Sequence, residues 1–369
     1  MTRHHGSTPH AHAKNGSAGL CSAASRRQVL TALAAVAASA MLPDDAVRAQ
    51  MASSGPRRID THHHYFPPAY LEPLEAWGKR AGFGGLQAPQ RDWTIARDLE
   101  EMDRAGLAMS VLSISTPGIW FGEAEEGRRM ARLCNDYAAE MRRDHKGRYG
   151  IFANLPMPDV DGALKEIEYA LDTLKAEGIG LMTSYGDKWP GDPQFAPVFA
   201  ELNRRKAVVY FHPLAPNCCG NLMPGVPASL LEYPQDTSRA VASLLFNGAL
   251  ARYRDINWIF SHAGGSVPQL AGRIAAGSRS RKDLAEIAPA GILGELKKLH
   301  YDTANSAYAP TMAALLAFVP SSQIVFGSDY PYYTVSENVD ALAGIDLTAA
   351  QRQAIDYANA ERLLPQLKA

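Results

Sequence analysis

The chain contains a short strand-like run that ends in three histidines, Arg57-Arg58-Ile59-Asp60-Thr61-His62-His63-His64. Three further runs have the same form and end in His212, His262 and Asp329. Buried parallel strands are rich in apolar residues, and their carboxyl ends form the active site of an α/β barrel. The sequence therefore predicts one site to which four distant segments each contribute a polar side chain.

Strand-like runs alternate with amphipathic helical segments along the rest of the chain. The predicted strands cover 57–62, 109–115, 149–155, 178–184, 207–212, 256–261, 299–303 and 323–328. The predicted helices cover 94–105, 123–144, 161–177, 195–205, 238–252, 310–318 and 349–364. This alternation favours an α/β fold, a single-domain (β/α)8 TIM barrel, and no Gly-x-Gly-x-x-Gly motif follows the first strand to support a dinucleotide site. The proline-rich stretch 213–237 is predicted to be a long loop that acts as a lid.

Residues 1–49 have the features of a twin-arginine export signal. Arg26 and Arg27 precede an apolar stretch that ends at Leu42, and Val47-Arg48-Ala49 offers the small residues of a cleavage site. The stretch is shorter than the roughly 20 residues that span a bilayer. We therefore expect residues 1–49 to be removed and the mature chain, 50–369, to be periplasmic after export in the folded state.

Composition narrows the classes of partner. The 369 residues carry a formal net charge of −1, and 46% of them are hydrophobic. A balanced charge without a basic patch gives no support for a nucleic-acid partner. A membrane span in the mature chain is not expected, and a small molecule is the expected partner.

The predicted site has the side chains of a metal centre. His62 and His64 alternate along a strand and share a face, while His63 points away. With His212 and Asp329 they supply three imidazoles and a carboxylate, a donor set typical of one catalytic divalent ion with an open position. Zinc is the favoured ion and manganese the alternative. Asp60, on the same face as His62 and His64, is a candidate to orient an imidazole.

Other polar and aromatic residues are candidates for chemistry or substrate binding. His262 is assigned to proton transfer or water orientation, with a role as fifth metal ligand as the alternative. Arg273 is a candidate to bind a substrate carboxylate, although a solvated helix arginine fits the sequence equally well. Phe66 and Trp120 follow strand ends and are candidates to stack on a flat ring, with simple packing as the alternative.

These motifs together resemble the amidohydrolase superfamily, and within it the branch of aminocarboxymuconate semialdehyde decarboxylase and 6-methylsalicylate decarboxylase. The resemblance covers residues 57–364. The segments that carry it are Ile59-Asp60-Thr61-His62-His63-His64, Ser113-Ile114-Ser115-Thr116-Pro117-Gly118, His212-Pro213, Tyr233-Pro234-Gln235-Asp236-Thr237, Ser261-His262-Ala263-Gly264-Gly265, Tyr301-Asp302-Thr303-Ala304 and Phe326-Gly327-Ser328-Asp329-Tyr330-Pro331.

The resemblance implies that His62, His64, His212 and Asp329 bind the metal and that His262 acts on water or substrate. One metal is expected, because Leu181-Met182-Thr183 lacks the bridging lysine of binuclear members. Arg273 matches an arginine that reaches a neighbouring subunit in the muconate enzyme, which implies a homodimer. The loop after His212 has no tryptophan, unlike that enzyme, and this favours a hydroxybenzoate-like substrate.

The leading hypothesis is a mononuclear, metal-dependent, non-oxidative decarboxylase of a small aromatic hydroxy-carboxylic or related unsaturated acid. In it the ring carbon is protonated by Asp329 or by a water that His262 holds, and carbon dioxide leaves. The alternative is a metal-dependent hydrolase of a lactone, ester or amide that uses the same residues. A periplasmic location slightly favours hydrolysis. A third hypothesis is a catalytically inactive barrel that binds or stores metal.

Overall fold

The structure is a computed structural model that describes residues 57–82, 84–219 and 222–368. Eight parallel strands form one sheet in sequence order, and each strand is hydrogen-bonded to the next. The strands are β1 (Arg58–His64), β2 (Leu107–Ser113), β3 (Tyr149–Asn154), β4 (Gly178–Met182), β5 (Val208–His212), β6 (Asn257–Phe260), β7 (His300–Asp302) and β8 (Ile324–Val325).

The sheet curls round so that its first and last strands meet. The amide of Thr61 in β1 donates to the carbonyl of Phe326, just after β8, at 2.9 Å, and the Thr61 hydroxyl donates to the same carbonyl. Farther along, His63 pairs with Tyr330 in a parallel bridge. The predicted (β/α)8 barrel in a single domain is therefore confirmed for the part of the chain that is described.

Helices cover the outside of the barrel. They are α1 (Pro68–Arg80), α2 (Ala88–Asp92), α3 (Ile95–Ala105), α4 (Ala124–Asp144), α5 (Val160–Glu168), α6 (Ala196–Arg204), α7 (Ala228–Phe246), α8 (Ala249–Arg252), α9 (Val267–Gly277), α10 (Leu284–Ile287), α11 (Ile292–Leu296), α12 (Ala309–Phe318), α13 (Val335–Ala343), α14 (Ala349–Gln353) and α15 (Asn359–Leu363). Six of these helices were not predicted: α1, α2, α9, α10, α11 and α13. Wider turns at Tyr169–Thr173 and Ala354–Ala358 extend α5 and α14.

The predicted loop 213–237 is wrong over its second half. Helix α7 begins at Ala228, directly after Pro227, and it contains Pro234 within its first two turns. Proline is tolerated near a helix start, where amides need no helical acceptor, but it normally interrupts a helix interior. A cluster of prolines therefore indicates a loop even where the local packing accepts a helix.

Two groups of buried side chains hold the barrel together. The larger lies between the strands and the helices. The smaller fills the barrel interior and includes Ile59, Phe152, Tyr210 and Val325, with Leu364 from the end of α15 packed against it. Because strand side chains alternate, the residues that follow this inner layer toward the carboxyl ends point into the mouth of the barrel.

None of the helices in the described ranges has the length and apolar character needed to cross a bilayer. The predicted export signal, residues 1–49, lies outside the described residues.

Candidate metal centre

Four side chains meet at the carboxyl end of the barrel. His62, His64, His212 and Asp329 are buried, and one potential ligand atom from each lies within 4.8 Å of the others. Oδ1 of Asp329 is 3.2 Å from Nε2 of His62 and 3.1 Å from Nε2 of His64. The His64 and His212 rings are 4.7 Å apart between centroids. Segments separated by more than 260 residues thus converge on one small volume.

The strands place these groups directly. His64 is the final residue of β1 and His62 lies two residues before it, while His212 is the final residue of β5. Asp329 follows β8 and adopts a left-handed φ of 64°, which is rare outside glycine. Its amide donates to the carbonyl of His62 at 2.8 Å, and this contact helps hold the strained conformation.

The segment before Asp329 has no room for a larger residue. A methyl group on Gly327 would lie 2.8 Å from Cβ of His62 and 3.2 Å from Cβ of Asp302. Such distances are shorter than van der Waals contact, so any side chain at this position would displace His62 and His64, here called the β1 clamp. Gly327 therefore lets β8 approach His62 closely enough for Asp329 to reach the cluster.

His262 contacts the second oxygen of the same carboxylate. Its Nε2 lies 3.2 Å from Oδ2 of Asp329, while Oδ1 faces His62 and His64. His262 also has a left-handed φ, 54°, and its Nδ1 is buried without a hydrogen-bond partner among the described residues. Asp329 therefore contacts both His262 and the cluster histidines, and the His262 ring lies 4.8 Å from the His62 ring between centroids.

Asp302 fixes the orientation of both neighbouring histidines. Its Oδ2 is 2.8 Å from Nδ1 of His62, and its Oδ1 accepts the backbone amide of His262 at 2.8 Å. A carboxylate on Nδ1 leaves Nε2 of the imidazole free to bind a metal. Asp302 has no predicted role, although it ends β7 in the same way that His212 ends β5.

Electrostatics in the cluster favour a cation. Burial opposes the charged form of His62, but Asp302 and Asp329 together raise its pKa to about 10. Burial and the neighbouring imidazoles hold the pKa of His212 well below its usual range, and burial lowers that of His64. Nε2 of His62 is buried, and its nearest carboxylate oxygen is Oδ1 of Asp329 at 3.2 Å. Three imidazoles and a carboxylate fit a divalent metal ion, which would replace the proton that the two carboxylates favour on His62.

Asp60 does not orient any of the three clustered imidazoles. Instead its Oδ2 lies 2.9 Å from Nδ1 of His63, whose ring points away from the site as predicted. Nε2 of His63 lies 2.6 Å from Asp98 on α3. Burial again opposes the charge, yet the two carboxylates raise the pKa of His63 to about 9.

The two aromatic candidates lie in different surroundings. Phe66 is buried and packs edge-on against Tyr332, at 6.4 Å between centroids, and Tyr332 packs in the same way against His64 at 5.9 Å. Trp120 packs on α4, where its ring would lie 2.9 Å from a methyl group on Gly127. Phe66 is thus one side chain removed from the cluster, whereas Trp120 contacts the helical layer.

Arg273 is not brought into the site of its own chain. It is exposed on α9 and forms no hydrogen bond or ion pair with any other residue in the described ranges. A role in holding a substrate of this chain has no support from these contacts. The alternative that the resemblance implies, contact with a second copy, stays a prediction.

Known proteins share both the sequence and the architecture. A family model described as amidohydrolase matches residues 59–366. The chain belongs to the amidohydrolase family. A decarboxylase of Aspergillus niger is 35% identical over 84% of this chain and 88% of its own length. A 6-methylsalicylic acid decarboxylase of Penicillium expansum is 32% identical over 84% of this chain and 97% of its own length.

A solved structure of a decarboxylase has the same barrel fold. It is a dihydroxybenzoic acid decarboxylase from Polaromonas with bound manganese and an inhibitor, 2-nitroresorcinol. It superposes with a TM-score of 0.74 at 21% identity and covers 85% of this chain and 98% of its own. At this identity the match shows the common fold. The amidohydrolase branch predicted from the sequence motifs is confirmed by the family match and by these relatives.

Proposed function

We propose that this protein is a metal-dependent, non-oxidative decarboxylase of a small aromatic hydroxy-carboxylic acid. The observation that carries the proposal is the division of Asp329, with one oxygen toward the His62, His64 and His212 cluster and the other toward His262. That arrangement puts four potential metal ligands and a further imidazole around the same carboxylate. The relatives named as decarboxylases support this chemistry over others that the fold can host.

The residues that would hold the ion are His62, His64, His212 and Asp329. When bound, a divalent ion supplies positive charge and a template that together stabilise the charge of a substrate carboxylate. Zinc is the ion we propose, since three imidazoles and one carboxylate suit it well. Manganese, the ion in the Polaromonas structure, is the alternative.

The chain's own residues supply the proton. Loss of carbon dioxide from an aromatic acid requires a proton at the ring carbon that carried the carboxylate. His262 and Asp329 share a contact of 3.2 Å, so this pair can hold a proton beside the cluster. Asp302 holds the backbone of His262 and the ring of His62, which fixes the donor relative to the ligands. General acid–base catalysis of this kind contributes about 10²- to 10⁴-fold in rate.

A second candidate function is hydrolysis of a lactone, ester or amide at the same residues. It needs the same ligands and a base for water, which His262 and Asp329 also provide. The named relatives do not favour it, because those cited are decarboxylases. We retain decarboxylation as the conclusion.

The two chemistries have different products, and this difference tests the proposal. Purified protein loaded with zinc or manganese is screened against salicylate, 6-methylsalicylate and dihydroxybenzoates, with carbon dioxide measured directly. A matched panel of aryl esters and lactones is screened by acid release. Carbon dioxide from at least one acid, without turnover of the second panel, is expected. Acid release alone would assign the protein to hydrolysis.

We further propose that residues 1–49 direct export of the folded chain to the periplasm and that the mature protein is a homodimer. Replacing Arg26 and Arg27 together by lysine should retain the protein in the cytoplasm, as measured by fractionation. Light scattering of the mature chain should give twice the monomer mass, and Arg273→Ala should then lower activity only if Arg273 reaches the partner's site. A monomeric mass would contradict the dimer.

A further inference from the structure

A chain of buried polar contacts lies behind the metal ligands, on the outer side of β1. Each of the four carboxylate contacts of Asp60 is made inside the protein. Oδ1 accepts the backbone amides of His62 and Ser328, both at 3.0 Å. Oδ2 accepts the Ser328 hydroxyl at 2.5 Å and Nδ1 of His63 at 2.9 Å.

This carboxylate joins two of the three segments that carry candidate metal ligands. His62 lies on β1, and Ser328 directly precedes Asp329 after β8. Asp60 thereby sets the spacing between the β1 clamp and the carboxylate ligand without contacting the ligand atoms. Among the described residues, its side-chain partners are the Ser328 hydroxyl and His63. Of these two, His63 connects Asp60 to a helix, through Asp98 on α3.

His63 is in turn anchored to the outer layer. Its Nε2 lies 2.6 Å from Oδ1 of Asp98 on α3, and the Tyr149 hydroxyl donates to Oδ2 of Asp98 at 2.7 Å. The Tyr330 ring stacks on His63 with 4.9 Å between centroids. Both ring nitrogens face carboxylates in a fully buried position, so their hydrogen bonds are charge-assisted.

We propose that Asp60, His63 and Asp98, here called the His63 bridge, position the metal ligands and set the affinity of the site for its ion. The inference rests on the proposed function, because it assumes that the four-residue cluster binds a divalent metal. His63 is a positioning residue: it holds Asp60 in place from the side of β1 that faces away from the cluster. Outer partners of ligands in metalloproteins typically change metal affinity 10- to 100-fold when they are replaced.

The variant that tests the bridge is Asp98→Asn, which keeps the shape but removes the charge. Asp98 contacts His63 and Tyr149 and none of the four cluster residues. The matched control is Glu166→Gln, another buried carboxylate, which is hydrogen-bonded to Arg132 and Asn135 and to none of the four cluster residues. Both variants should lower thermal stability, since each removes one side of a buried charged contact.

The deciding measurement is the dissociation constant for zinc, and separately for manganese, from competition with a chromophoric chelator. We expect Asp98→Asn to raise it at least about tenfold and Glu166→Gln to leave it within about twofold of wild type. Equal metal affinity in wild type and Asp98→Asn, with a stability loss matching that of Glu166→Gln, would overturn the inference. If Asp98→Asn does not fold, Tyr149→Phe takes its place and should give a smaller increase; no increase would overturn the inference equally.

The same titration separates this inference from the proposed function. His212→Ala should abolish tight binding if the cluster holds the ion. Unchanged binding in His212→Ala, or none in wild type, would refute the metal site itself. Tight wild-type binding that His212→Ala destroys and Asp98→Asn leaves intact would refute the bridge alone.

Discussion

Two buried histidines at opposite ends of the barrel, His62 and His300, have pKa values shifted in opposite directions. At the carboxyl end, His62 lies between Asp302 and Asp329, and these carboxylates raise its pKa to about 10 despite its burial. At the amino end, His300 begins β7, and burial followed by nearby Arg362 lowers its pKa to about 4. Burial alone therefore does not fix the charge of an imidazole; its neighbours do.

The surrounding residues follow the same division. The buried group inside the barrel is almost entirely apolar and includes Leu364, Ile59 and Val325. The carboxyl end has left-handed backbone at His262 and Asp329 and a ring nitrogen of His62 without a hydrogen bond. We infer that the amino end mainly stabilises the fold and that the carboxyl end accepts strain and charge in exchange for chemistry.

The largest effect on activity is expected from His212→Ala. It removes one ligand of the cluster, so the ion should be lost and carbon dioxide release should fall by at least about 10⁴-fold. Stability of the protein without metal should change little in comparison. Activity assays are combined with metal analysis; a variant with normal metal content and normal turnover would contradict the role of the carboxyl end.

The next effect separates proton transfer from metal binding. His262→Ala removes the imidazole on the Oδ2 side of Asp329 and leaves the cluster side intact. Turnover should fall by about 10²- to 10⁴-fold, while metal content should stay at the wild-type level. Loss of metal together with activity would instead make His262 a fifth ligand, and unchanged turnover would remove its assigned role.

The converse test belongs to the amino end. Leu364 is completely buried, so Leu364→Ala leaves a cavity and should lower the free energy of unfolding by about 3 kcal/mol. Turnover at a temperature where the variant is folded should remain within about twofold of wild type. Urea unfolding and initial rates measure the two quantities, and a rate loss as large as that of His262→Ala would break the proposed division.

The smallest effect is a pH dependence at the amino end. The unfolded chain protonates His300 near pH 6.5, whereas the folded protein resists protonation until about pH 4. Stability from this group is therefore present at neutral pH and is lost on acidification, by about 2 kcal/mol between pH 7.5 and pH 5. Urea unfolding at both pH values measures the loss in the free energy of unfolding, which should be smaller by that amount in His300→Gln than in wild type. Equal losses in the two proteins would show that His300 is not responsible.

The sequence predicted the carboxyl end better than the helical layer. Polar residues directly after buried apolar strands are unusual unless they form a common site. His62, His64, His212 and Asp329 could therefore be assigned to one site from the sequence. Helix α7 was missed in part because Pro234 looks like a helix breaker. The sequence pattern predicts the type of an element from its periodicity. It does not show the tertiary packing that allows a residue of low helix propensity, such as Pro234, within a helix.

The partners of the candidate ligands were less predictable. Asp302 could have been found, because it ends β7 in the same way that His212 ends β5. Asp98 lies in the first turn of α3, where an acidic residue is ordinary helix chemistry, and no sequence signal connects it to His63. The exposure of Arg273 depends on which face of α9 packs against the barrel, and the sequence around Arg273 does not determine that face.

The most direct test of the account is anomalous diffraction from crystals of active protein grown with manganese. The account predicts a single peak bonded to His62, His64, His212 and Asp329 at about 2.0 to 2.2 Å, with His262 outside bonding distance. Manganese bound elsewhere, or no bound ion in crystals whose dissolved protein still releases carbon dioxide, would contradict it.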